Sequence, residues 1–149
     1  MDHQLENLGP ERFQQLCQAI LVKEYPGSTC FPVGQPDGGR DAIQFDIDDL
    51  KSINVAFQIK FTRATPNKDT REWVLETAVE EAPKVKKLVE RGLKKYIFIT
   101  NVAGTAHLDA GSIDKLRTQL EALLGVPTVC WWRDDINRRL DGLWDLKLR

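Results

Sequence analysis

Apolar residues first recur at three-and-four spacing after Gly9-Pro10-Glu11, where Phe13, Leu16, Cys17, Ile20 and Leu21 mark one stripe of a helix that should end by Tyr25-Pro26-Gly27. At ~100° per residue, Gln14 flanks this stripe and Glu11 points away from it. Thr29 to Val33 reads as a short strand. Two alternating runs follow, Ala42 to Ile47 and Val55 to Phe61, separated by the polar link Asp48 to Ser52. They predict an antiparallel hairpin, with Val55, Phe57, Ile59 and Phe61 on one face and Ala56, Gln58, Lys60 and Thr62 on the other. The segment from Thr62 to Asp69 is polar and contains Pro66, so it reads as a loop.

From Asp69 to Gly92 helical spacing returns with Leu75, Ala78, Val79, Ala82, Val85, Leu88 and Val89 as the inward positions. Pro83 is expected to kink or split this helix, and Gly92 to stop it. Lys94 to Thr100 is too continuously apolar to be half exposed and predicts a buried strand. A helix near Gly111 to Leu124 follows, with Ile113, Leu116, Leu120, Leu123 and Leu124 inward. Gly125-Val126-Pro127 breaks it, Thr128 to Trp132 forms a strand, and Asp134 is placed to cap a last helix carrying Ile136 and Leu140. The order α-β-β-β-α-β-α-β-α predicts an α/β fold with a mixed central sheet flanked by helices.

Composition narrows the partners. The 149 residues hold 21 basic and 22 acidic side chains, so any attraction for nucleic acid must be local. Cys17, Cys30 and Cys130 form no Cys-x-x-Cys pair and sit in apolar runs, which predicts reduced thiols in a cytoplasmic protein. Met1 is followed by no basic and apolar leader, and no run is long enough to span a bilayer. No repeat or internal boundary interrupts residues 1–149, which predicts one domain. The ending Trp144-Asp145-Leu146-Lys147-Leu148-Arg149 stays apolar, as expected of the N-terminal part of a longer protein.

The candidate chemistry lies between Pro36 and Thr62. Pro36-Asp37-Gly38-Gly39-Arg40 is a turn that delivers Asp41 to the mouth of the first hairpin strand, while Gln58 and Lys60 stand side by side on the second. Phosphodiester hydrolysis needs a hard cation on oxygen ligands and positive charge near the developing phosphorane. Asp41 can supply an anionic oxygen, Gln58 and the Ile59 backbone carbonyl neutral ones, and Lys60 the positive charge. Arg40, Arg63, Lys68 and Arg71 are near in sequence and can receive DNA phosphates. His107 reads as a surface histidine and His3 as part of a mobile terminus. Lys84-Val85-Lys86-Lys87 reads as the wet face of a helix, and Trp131, Trp132 and Trp144 as core packing or a contact with the rest of a longer protein rather than a base-stacking surface.

Pro36-Asp37-Gly38-Gly39-Arg40-Asp41-Ala42 followed by Phe57-Gln58-Ile59-Lys60-Phe61 resembles the restriction-endonuclease-like, PD-(D/E)XK superfamily, and within it the Mrr-type branch with D…QxK in place of D…ExK. The resemblance extends to the opening helix, the Tyr96-to-Asn101 strand end and the Trp131-Trp132 strand. Within that branch it is nearest to the N-terminal nuclease effectors of bacterial antiphage STAND or NACHT-type NTPases. It implies an endodeoxyribonuclease that cuts double-stranded DNA with little sequence specificity. Asp41 and Gln58 would be metal-site residues for Mg2+, with Mn2+ able to substitute, and Lys60 would position water and stabilise the transition state. It also implies activation by homo-oligomerisation through the rest of a larger protein. Many relatives carry a glutamate directly after a phenylalanine on the first helix; here Phe13 is followed by Gln14. The fourth site position is thus open between Gln14 and Glu11, and the expected site is poor in negative charge. The competing reading is a catalytically decayed nuclease-fold module used for DNA binding or oligomerisation, motivated by the glutamines at 14 and 58.

Overall fold

A computed structural model describes residues 5–30, 42–45, 53–62, 70–102 and 110–142. After a short 3-10 turn at Leu5–Asn7, the described elements are α1 (Pro10–Glu24), β1 (Thr29–Cys30), β2 (Ala42–Phe45), β3 (Ile53–Lys60), α2 (Thr70–Glu90), β4 (Lys95–Thr100), α3 (Ala110–Leu124), β5 (Thr128–Trp131) and α4 (Arg133–Asp141). This is an α/β architecture whose elements follow the order predicted from the pattern. Proline at the start of α1 suits a helix entry, because its missing N–H would have no intrahelical partner there. Gly27, Gly92 and Gly125 follow α1, α2 and α3 with φ near +87°, +90° and +74°, the left-handed region that ends a helix at least cost to glycine.

The five strands lie in sequence order, so β3 is central. β1, β2 and β3 are antiparallel neighbours, whereas β3, β4 and β5 run parallel. The expected hairpin is present, with Ala42 paired to Phe57 and Ile43 to Ala56, and a register shift between Gln44 and Phe45. Alternation along β3 and β4 divides the core. Val55, Phe57, Ile59, Ile97 and Ile99 pack with Phe13, Cys17, Ile20 and Leu21 of α1 and with Ile136 and Leu140 of α4. On the other face Ala56, Tyr96 and Phe98 pack with Val74, Ala78, Val85 and Leu88 of α2 and with Leu116, Leu120 and Leu124 of α3. Both faces of β3 are covered, which explains its nearly continuous burial.

Four details differ from the pattern reading. Of the kink or split expected at Pro83, the split does not occur, since α2 passes through it as one helix. The carbonyl that Pro83 cannot serve belongs to Val79, a residue on the exposed side of the helix. Second, that exposure removes Val79 from the inward face; the buried stripe of α2 runs instead through Val74, Ala78, Glu81, Val85 and Leu88. Third, Leu123 is exposed while Leu116, Leu120 and Leu124 complete the α3 stripe. Fourth, Asp134 does not cap α4. It lies inside the helix, and the Asp135 carboxylate accepts the Trp132 N–H at 2.9 Å. Trp131 is buried beneath the Arg139 guanidinium, 3.7 Å from the ring centre, as expected of a packing residue. Arg139 is also ion-paired to Glu24 of α1 at 2.7 Å.

Candidate active site on the central strand

Gln58 and Lys60 follow Ala56 in the alternation of β3, and Ala56 packs against α2 and α3. Both side chains therefore belong to that face. Gln58 is buried, only 5 % exposed, beside Phe98 in the parallel register. Lys60 is the last residue of the strand, paired with Thr100. About a third of its side chain reaches solvent, 33 %, and its Nζ lies 3.1 Å from Oε1 of Glu81. The structure thus places a buried amide and a half-open ammonium next to each other at the C-terminal end of a central strand.

Glu81 was not singled out from the sequence. It comes from the middle of α2, is 7 % exposed, and occupies a position of the packing stripe that is otherwise apolar. Its second oxygen, Oε2, is buried, has no hydrogen-bond partner among the described residues, and has the Lys84 ammonium at 3.9 Å. The available signal was the acidic residue standing at i+7 from Val74 and i+3 from Ala78, where a helix that only packs would carry an apolar side chain.

The exit of β3 is also fixed. Asn101, buried just past β4, donates from Nδ2 to the Thr62 carbonyl at 2.7 Å and accepts the Thr62 N–H on Oδ1 at 2.9 Å. Its amide continues the strand pairing beyond Lys60 and Thr100. Val102 then donates its N–H to Thr100 Oγ1 at 3.2 Å and accepts the Arg133 N–H at 3.1 Å, which ties the end of β4 to the start of α4.

The remaining sequence-derived site residues are distributed as follows. Asp41, Arg40, Arg63 and Lys68 lie outside the described residues. Ala42, the chain neighbour of Asp41, is paired with Phe57, the chain neighbour of Gln58. Arg71 lies in the first turn of α2. Glu11 and Gln14 are on α1, which covers the opposite face of the sheet from Glu81; Glu11 is exposed and Gln14 half-buried. Phe13, beside Gln14, stacks its ring 5.5 Å from Phe61 at the end of the same strand. Lys84, Lys86 and Lys87 are exposed on α2, the solvated face expected of them.

The donors available to a metal are hard oxygens. Gln58 supplies a buried amide oxygen and Ile59 a backbone carbonyl, a set suited to Mg2+ or Mn2+ rather than to a soft metal. Among the described residues no three His, Cys, Asp or Glu side chains gather into a metal-binding group. Such a set fits a hard cation only with Asp41 added, and even then carries little negative charge. No helix among the described residues is long and apolar enough to cross a membrane. Comparison of the chain with protein-family models, with curated proteins and with solved structures finds no match.

Proposed function

We propose that this chain is a metal-dependent DNA endonuclease domain with a restriction-endonuclease-like fold of the Mrr type. The observation that carries the reading is the pairing of Gln58 and Lys60 on one face of the central strand, with the strand that follows Asp41 locked beside them by the Ala42–Phe57 register. Asp41, Gln58 and the Ile59 carbonyl would hold Mg2+, or Mn2+ in its place. The bound ion would supply Lewis acidity toward the scissile phosphate and lower the pKa of an attacking water. Lys60 places positive charge where the phosphorane develops. Arg40, Arg63, Lys68 and Arg71 take flanking phosphates of double-stranded DNA, and contacts of that kind bind without reading sequence.

A site with one carboxylate binds a cation weakly, so the domain acts when several copies are brought together as part of a larger cytoplasmic assembly. The sequence resemblance supports a role there as an effector of antiphage defence. Plasmid cleavage in Mg2+ or Mn2+, by the chain alone and as an enforced oligomer, tests the reading. Cleavage should be lost in Asp41→Ala and in Lys60→Ala. Undiminished cutting by both variants would remove the assignment.

One observation favours a second reading. Lys60 is engaged by a buried carboxylate and its neighbour on the strand is a neutral amide, as in a nuclease fold retained for DNA binding or oligomerisation after catalysis has decayed. Calorimetric titration with Mn2+ separates the two, because the decayed module binds none even when assembled.

A further inference from the structure

Glu81 stands where the packing of α2 calls for an apolar side chain. Val74, Ala78, Val85 and Leu88 fill the rest of the stripe against the sheet. An ion pair taken out of water gains little over a well-packed hydrocarbon of similar size, because desolvation offsets the attraction. Packing alone therefore gives no reason for an acid at position 81. Its geometry gives another. Oε1 holds the Lys60 ammonium at 3.1 Å, while Oε2 is buried with no hydrogen-bond partner among the described residues. The lysine stem is flexible, and a third of this one is open to solvent. Without an anchor its ammonium would spread over many positions. With one, it is kept on the Gln58 face of β3.

We infer that Glu81 is a positioning residue, which holds Lys60 in place for the phosphate through one of its three N–H donors and leaves the other two to face substrate. The inference rests on the nuclease reading of Lys60. It makes α2 part of the reaction machinery and adds a residue that touches neither metal nor DNA. Lys84, 3.9 Å from Oε2 and more than half exposed, extends the row at the surface and offsets the charge of the carboxylate.

The test is Glu81→Leu, which fits the apolar stripe, beside Glu81→Gln, which keeps an oxygen acceptor for Lys60. Three measurements are made on the full chain: thermal melting, plasmid-cleavage kinetics in Mn2+, and the 15N resonance of the Lys60 ammonium, visible when ion pairing slows its proton exchange. Glu81→Leu should stay folded, because the part-exposed Lys60 ammonium can turn to water. Its kcat should fall by about tenfold to a hundredfold with KM for DNA nearly unchanged, as expected of a misplaced catalytic group. Its Lys60 resonance should vanish, and Glu81→Gln should recover part of both losses. The inference is overturned if Glu81→Leu fails to fold, cuts at the parental rate, or keeps the resonance. Absence of cleavage by the parent would instead remove the nuclease reading, and the resonance in parent and Glu81→Leu would still decide whether Glu81 holds Lys60.

Discussion

Asn101 and Thr62 exchange two hydrogen bonds, side-chain amide to backbone, in the geometry by which two strands pair. The consequence is that the chain stays tied to the end of β4 as far as Thr62, two residues past Lys60. Replacing Asn101 by Ala removes the two hydrogen bonds that its side chain exchanges with the Thr62 N–H and C=O. We expect a loss of about 1–3 kcal/mol in stability, measured by urea unfolding. Asn101→Asp should be no milder, because its second oxygen would face the Thr62 carbonyl instead of donating to it.

Gln58→Glu adds a second carboxylate to the proposed metal site. The buried position makes the new charge costly without a cation, so the variant should melt below the parent in chelator. In Mn2+ the order should reverse, and half-maximal cleavage should need about tenfold less metal, following the dependence of affinity on ligand charge. Equal responses to Mn2+ in both proteins would place the metal away from Gln58.

Pro83→Ala restores the amide that the Val79 carbonyl lacks within α2. Because the helix is already continuous there, nothing must rearrange. The substitution should raise stability by about 1 kcal/mol or more, approaching the ~3 kcal/mol difference in helix propensity only if Pro83 causes no compensating order in the unfolded chain. Differential scanning calorimetry measures the gain.

The thiol of the half-buried Cys130 is pushed well above its ordinary range by desolvation of the sulfur, and further by the negative charge of Asp135. In the folded chain it should react with iodoacetamide far more slowly than a free thiol at pH 8, as judged by mass spectrometry. A thiol whose folded pKa is raised contributes its full share below the unfolded value of about 8.5, and that share is lost as pH climbs toward the folded value. Cys130→Ser should flatten the alkaline side of a stability profile.

Most of the frame was legible because its signals are local. The alternation from Val55 to Phe61 fixed which side chains share a face, and Gly92 and Gly125 marked helix ends. The inward face of α2 was misjudged at Val79 because Ala78 begins two overlapping apolar stripes, and only the contact surface chooses between them. Glu81 was invisible for a related reason. Its partner, Lys60, belongs to another element, and no spacing within a helix announces a cross-element ion pair. The role of Asn101 likewise depends on where Thr62 is placed. At the site, Gln58 and Lys60 were correctly set on one face by a period of two, whereas the residue that holds Lys60 required the fold.

The ion pair between Glu24 and Arg139 joins the first described long helix to the last, with Trp131 beneath the guanidinium. α2, β4, α3 and β5 are consecutive, so the layer they build assembles from near neighbours in the chain. The layer that buries Phe13, Ile20 and Leu21 does not close until α4 has left the ribosome. A chain halted after β5 would have α1 on that face of the sheet without Ile136 and Leu140 beside it, and without the Arg139 that ties α1 to α4.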